Sequence, residues 1–162
     1  AVAGVNEVEG RSWRLPGSGL WSEPGTRAVE VAVAEGAVSR AACVYYFECA
    51  SHNINLQIVE DGFVRAKARE ASDRALARLN ASANCLYVGS SRSIAKRLYE
   101  HLGYGAKQTY ALHLVHWAPK LSLELMFVCA KYPLATPSFV VEALEDTLWE
   151  MKTPMFGRRG RK

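Results

Sequence analysis

Apolar and polar positions change period several times along this chain, and each change marks an element. Val29, Val31 and Val33 alternate with Ala and Glu residues, the period of two expected of a strand with one buried face. Ala42 to Cys49 is dense in β-branched and aromatic residues and predicts a second strand. The period then lengthens. Val64, Ala68, Ala71, Ala75 and Leu79 recur at helical spacing, so residues 64–79 predict a helix with a thin, alanine-rich buried stripe. Cys85 to Ser90 predicts a short strand. From Ser91 or Arg92 to Leu102 a helix follows, with Ile94, Leu98 and Leu102 as its apolar face and Gly103 and Gly105 as its stop. Ala111–Trp117 and Leu121–Ala130 predict two more strands, broken by Ala118-Pro119-Lys120. The last helix opens at Thr136-Pro137, an N-cap residue followed by proline at the first helical position; it runs to about Lys152 and ends before Pro154.

Composition adds limits. The chain has 162 residues, 49% of them apolar and 22% charged, which suits one compact domain with an appended arm. That arm is residues 1 to about 27, rich in Gly, Pro and Ser and pinned by Trp13 and Trp21. No apolar run approaches the ~20 residues that cross a bilayer, and no basic segment leads into an apolar one at the N-terminus, so neither a membrane partner nor a secretory signal is expected. The chain opens on Ala1 rather than Met, which leaves its native start open. Cys43, Cys49, Cys85 and Cys129 have no CxxC spacing and sit in strand-like runs, which predicts buried free thiols and a cytoplasmic location. A net charge of +4 and a pI near 9.0 are compatible with a polyanionic partner.

Three groups of residues could carry chemistry. The first is a pair of strand segments, Cys43-Val44-Tyr45 and Tyr87-Val88-Gly89; strand tyrosines ordinarily pack, and Gly89 suggests a place where something approaches the backbone closely. The second is the face of the following helix, where Arg97 and His101 are four apart with Lys96 alongside. The third is Glu145, at the edge of the apolar stripe Val141, Leu144, Leu148, where a carboxylate needs either a cation or a basic partner such as Lys152. Within the predicted helix 64–79, Lys67, Arg74 and Arg78 fall within roughly 40° of one another at about 100° per residue, a stripe that could follow a phosphate backbone or simply be solvated. His113 and His116, three apart on a predicted strand, face opposite ways; one could line a site, while packing explains both.

Taken together and in this order, the pieces resemble the GIY-YIG nuclease family. Its first tripeptide is matched by Cys43-Val44-Tyr45, with cysteine in place of the leading glycine, and its second by Tyr87-Val88-Gly89. The run from Ser90 to His101 is similar to the family's stretch with an essential arginine and a following histidine. Leu144-Glu145-Asp146-Thr147-Leu148, continuing to Pro154-Met155-Phe156, is similar to its metal-binding glutamate helix and proline-containing end. The resemblance covers residues 42 to 157. Gly157 stands where the family tends to have a polar residue, and the connection between the tyrosine strands is much longer than the usual short hairpin.

The resemblance implies an α/β fold: a small mixed, largely antiparallel central β-sheet flanked by helices, with an inserted helix between the two tyrosine strands. It divides the chain into an N-terminal arm with one strand, 1–40, and a nuclease domain, 41–162, with the insertion at about 50–84. It implies a metal-dependent endonuclease that hydrolyses DNA phosphodiesters, of restriction, mobile-element or phage type, acting as a homodimer if it is a restriction enzyme. Glu145 would hold one Mg²⁺ or Mn²⁺ ion. Arg97 would clamp a phosphate oxygen, Tyr45 would orient or deprotonate the attacking water, Tyr87 would hydrogen-bond beside it, and His101 would orient the same group. A base role for Tyr45 requires neighbouring positive charge to lower its pKa. Lys67, Arg74, Arg78, Arg92, Lys96, Arg158 and Arg159 would contact nucleic acid. The alternatives left open are a nucleic-acid-binding module with this fold and little activity, a nuclease toxin or effector, and a metabolic hydrolase or structural protein matching by chance.

Overall fold

A computed structural model describes residues 41–50, 53–70, 73–121, 123 and 125–160. The predicted strand at Val29–Val33, the arm that contains it, and Arg161 and Lys162 lie outside the described residues. Within them the protein is a mixed α/β structure. Its elements run β1 (Ala41–Cys49), α1 (Leu56–Glu70), β2 (Cys85–Ser91), α2 (Ile94–Leu102), two short 3-10 turns (Leu114–His116 and Ala118–Leu121), β3 (Leu125–Pro133) and α3 (Ser138–Lys152). The three strands form one antiparallel sheet in the order β2-β1-β3. Among the described residues no helix is long and apolar enough to cross a membrane.

Alternation along β1 builds two layers on opposite faces of the sheet. Cys43, Tyr45, Phe47 and Cys49 enter the main core with Val59, Phe63 and Ala66 of α1 and Ile94, Leu98 and Leu102 of α2. Ala42 and Val44 point the other way and meet Val141, Leu144 and Leu148 of α3. A central strand buried on both sides reads in sequence as an almost unbroken apolar run, as β1 does.

The inserted helix exists, but not where its alanines suggest. It spans Leu56–Glu70, not 64–79, and its buried stripe is Val59, Gly62, Phe63 and Ala66, while Val64 and Ala68 are exposed. Burying Phe63 and Val59 gains far more than burying a row of alanine methyl groups, so the larger side chains choose the face. Asn55 sets the start: its side-chain oxygen accepts the Gln57 backbone N–H at 3.0 Å. Arg74 and Arg78 therefore lie outside the helix and do not share a helical face with Lys67. Residues 75–79 run extended, with Leu76 bridged to Ala111 and Leu79 to Phe156.

Ala111–Trp117 is not a strand either. Ala111 makes only that single bridge, and His113 then turns left-handed at φ 50° to open a 3-10 turn. His113 and His116 are consequently neighbours, with ring centroids 6.3 Å apart, and not residues on opposite strand faces. β3 begins at Leu125, four residues later than expected from its apolar run. The stops of α2 and α3 are as anticipated: Gly103 takes φ 109° after Leu102, and Thr153 takes φ 42° just before Pro154. All four cysteines are free thiols, three of them buried.

One further feature positions the site. Past α3 the chain returns to the outer edge of β2, where Met155 and Phe156 donate backbone N–H groups to the Cys85 and Leu86 carbonyls. Asn80 locks this return, its side-chain amide donating to the Pro154 and Gly157 carbonyls at 3.0 and 3.1 Å. An edge that would otherwise expose unpaired backbone is thereby covered.

Candidate active site

Tyr45 and Tyr87 come to the same face of the sheet because the β1–β2 register pairs Tyr45 with Gly89 and Phe47 with Tyr87, making the two tyrosines diagonal neighbours. Their rings stack at 6.3 Å and 21°. This arrangement needs glycine twice. A Cβ at Gly89 would stand 2.8 Å from the Tyr45 hydroxyl oxygen and 2.8 Å from Tyr87 Cε1, and one at Gly157, itself at φ 103°, would stand 2.9 Å from Tyr87 Cε2. The close approach suggested by Gly89 is thus the approach of the two tyrosine rings. Gly157, on the returning segment, closes the opposite edge of Tyr87.

α2 packs over these rings and presents Arg97 and His101 one turn apart. The Arg97 guanidinium donates from Nε to the Tyr45 hydroxyl at 3.3 Å, and from Nη2 to the Tyr87 hydroxyl at 3.1 Å and the Tyr110 carbonyl at 3.0 Å. Nη1 donates to Glu100 Oε2 at 2.8 Å, an i,i+3 ion pair. Four of the five guanidinium N–H bonds are engaged in this way, so Arg97 organises the tyrosines, and among the described residues one Nη1 hydrogen has no partner. Burial acts against its charge, but the two tyrosines and Glu100 more than compensate, and the guanidinium is held more firmly protonated than an ordinary arginine.

His101 is fully buried, 5.8 Å from Tyr45 and 4.4 Å from Tyr87 between ring centroids. Burial first, then the Arg97 charge and His113, push its pKa well below the usual histidine range, so the imidazole is neutral. The Leu112 backbone N–H donates to Nδ1 at 3.3 Å, which requires the single ring proton to reside on Nε2. Nε2 lies 3.0 Å from the Tyr45 oxygen and donates to it. Tyr45 therefore accepts two N–H donors, from His101 and Arg97, and has its own hydroxyl hydrogen to give. Burial, foremost, and the adjacent Tyr87 raise the Tyr45 pKa well above its usual value against the pull of Arg97. The positive charge expected to lower it is present, but desolvation outweighs it, and Tyr45 rests as a phenol.

Glu145 stands on α3, in the opposite layer. Ser90 follows Gly89 on β2 and so faces α3, where its hydroxyl donates to Glu145 Oε2 at 2.5 Å. The half-buried carboxyl has a raised pKa: burial is the main cause, Asp146 and Glu142 add to it, and the Ser90 hydrogen bond and Arg97 oppose it. Glu145 and Tyr45 lie within electrostatic reach of each other. Lys152, offered by the sequence as a partner for Glu145, instead pairs with Glu48 at 3.0 Å and sits 4.2 Å from the Tyr46 ring centroid.

The structure brings together Tyr45, Tyr87, Arg97 and His101, holds Glu145 on Ser90 within electrostatic reach of Tyr45 and Arg97, and scatters the basic residues. Lys67 and Lys96 are exposed on α1 and α2, and Arg78 and Arg158 are exposed near the 155–157 return. Arg92 serves as a clasp, donating to the Leu134 and Thr136 carbonyls at 2.5 and 2.6 Å and to Ser138 Oγ at 3.3 Å, which ties the start of α3 to the end of β2. Arg159 pairs with Glu150 at 2.6 Å and lies 3.9 Å from Asp146. Sequence reasoning missed Glu100, Ser90, Asn80 and the Leu112 amide. Glu100 was legible as i+3 of Arg97; the other three act through long-range contacts that leave no local signal. Comparison with protein-family models, curated proteins and solved structures returns no match for this chain.

Proposed function

We propose that this protein is a metal-dependent DNA endonuclease of the GIY-YIG type, hydrolysing phosphodiester bonds at the Tyr45–Tyr87–Arg97–His101–Glu145 cluster. The observation that carries this reading is the single guanidinium of Arg97 hydrogen-bonded to both tyrosine hydroxyls, with the Glu145 carboxyl, on a separate element, within electrostatic reach of Arg97 and Tyr45. Packing alone does not require two strand tyrosines, an arginine and a histidine to converge their polar atoms on one point, and such convergence at perturbed groups is typical of sites that handle charge.

The residues fit one hard divalent cation of the magnesium type. Among the described residues no group of three or more His, Cys, Asp or Glu side chains could hold a metal. Magnesium does not need such a cage, since it is commonly held by one or two carboxylates with water and phosphate oxygens completing its shell. Glu145 is a carboxyl whose burial disfavours its charge, with Asp146 and Glu142 adding negative potential, and a bound cation would relieve both effects. When bound, the metal would polarise the phosphate and stabilise the leaving oxygen. The remaining steps fall to the chain. Arg97 offers its remaining Nη1 hydrogen to a phosphate oxygen and neutralises charge gathering there. Tyr45, its oxygen held by His101 and Arg97, points its hydroxyl hydrogen at the reacting group. His101 cannot receive that proton on Nε2, which already carries one, so its part is to position Tyr45.

The test is incubation of supercoiled plasmid and short duplexes with Mg²⁺, Mn²⁺ or chelator, alongside Glu145→Ala and Arg97→Ala. Metal-dependent nicking lost in both variants is expected. Equal DNA integrity with wild type and variants under every metal would overturn the proposal.

A further inference from the structure

Tyr110 breaks the ordinary rule for large aromatic side chains: it is 69% exposed. Its backbone is nonetheless firmly held. The Tyr110 carbonyl accepts the Arg97 Nη2 hydrogen at 3.0 Å, and the Leu112 amide donates to His101. Between them Ala111 exchanges backbone hydrogen bonds with Ala75 and Ala77. On the other side Thr109 N–H bonds the Ala106 carbonyl, the Lys107 carbonyl accepts the Ala75 N–H, and the Lys107 ammonium pairs with Asp73 at 2.9 Å. The segment is thus fastened before and after Tyr110, and to both functional side chains of α2, while the ring itself is left in solvent. Ala106, Lys107 and Gln108, which precede it in the chain, are exposed and small or polar.

We propose that Tyr110 is the stacking platform for a nucleobase of the DNA strand whose phosphate is held at Arg97. This deepens the nuclease reading and rests on it. The argument is one of reach. In a nucleic-acid strand a base is separated from its phosphate by one sugar, and the Tyr110 carbonyl accepts one hydrogen bond from Arg97, the proposed phosphate ligand. A rigid phenol ring there offers a large flat contact with few torsions to freeze, and stacking accepts any base because every base has a π-face. Tyr110 would thereby set where along the strand the phosphate enters the site, leaving recognition of a particular base to other residues.

The experiment uses the full chain and a short duplex carrying 2-aminopurine at successive positions around the cleaved bond, with Ca²⁺ replacing Mg²⁺ during binding. Wild type should quench 2-aminopurine at one flanking position. Tyr110→Phe and Tyr110→Trp should keep the quench and the affinity, whereas Tyr110→Ala should lose the quench and bind about tenfold more weakly. An abasic residue at that position should weaken wild type by a similar factor and leave Tyr110→Ala unaffected. A Tyr110→Phe protein as impaired as Tyr110→Ala would overturn stacking in favour of a hydroxyl contact. Wild-type cleavage with unchanged quench, affinity and KM in Tyr110→Ala would overturn this inference alone. Failure of wild type to bind any duplex at low salt would overturn it together with the nuclease reading.

Discussion

Gly89 stands opposite Tyr45 in the β1–β2 ladder, and the Tyr45 hydroxyl occupies the space that a side chain at 89 would need, 2.8 Å from the would-be Cβ. The same Cβ would touch Tyr87, so both rings depend on the absence of one methyl group. Gly89→Ala is expected to cost about 1–3 kcal/mol of stability through overpacking. Displaced tyrosine hydroxyls should lower cleavage by on the order of 100-fold. Urea unfolding together with plasmid nicking checks this. A variant that nicks at the wild-type rate would show that the hydroxyl positions are unimportant.

His101 should remain neutral across the range in which histidines usually titrate, with its proton on Nε2, and ¹⁵N-detected imidazole NMR between pH 5 and 8 reads both properties directly. The sign for stability follows. A histidine whose folded pKa is depressed binds its proton more readily when unfolded, so its contribution is present above the unfolded pKa and is lost as the pH falls below about 6.5. His113, also depressed mainly by burial, acts in the same direction. Wild type should thus lose stability on acidification from pH 7 to 5, and His101→Gln should lose less.

Glu145 carries the opposite linkage. Its folded pKa is raised, so it costs stability above its unfolded pKa and that cost vanishes as the pH falls below about 4.3. Without added metal, Glu145→Gln should therefore be more stable than wild type at pH 7 and lose that advantage at pH 3–4. The same variant should lose metal-dependent nicking by at least about 100-fold. Mg²⁺ should raise the melting temperature of wild type and not of Glu145→Gln, since only a ligand bound by the folded state stabilises it.

Arg92 and Lys96 separate a structural cation from one available to a polyanion. Arg92→Ala removes three hydrogen bonds at the start of α3 and should cost about 1–3 kcal/mol, with little change in the salt dependence of DNA affinity. Lys96→Ala should leave stability within about 0.5 kcal/mol of wild type. It should weaken DNA binding across sequences and reduce the salt slope by about one. Titrations at several salt concentrations decide between these outcomes.

How much was legible varied with the range of the forces involved. The amino-acid sequence by itself determined β1, β2 and α2, because a strand buried on both faces and a helix ending in glycine announce themselves over neighbouring residues. It also ordered Tyr45, Tyr87, Arg97, His101 and Glu145 along the chain and marked Gly89 as a place of close approach. It placed the inserted helix wrongly, since an even row of alanines looks helical whereas the weight of burial lies with Val59 and Phe63, and it made a strand of residues 111–117, where one bridge and a left-handed His113 end the extended chain. Only the tertiary structure decided that Arg97 is held by Tyr87 and Tyr110 as well as Tyr45, that the Leu112 amide selects the His101 tautomer, and that burial keeps Tyr45 a phenol. The physical reason is common to all three. Hydrogen-bond partners and desolvation are set by atoms far apart in sequence, and a residue's local pattern has no information about which distant backbone amide will lie 3.3 Å from its ring.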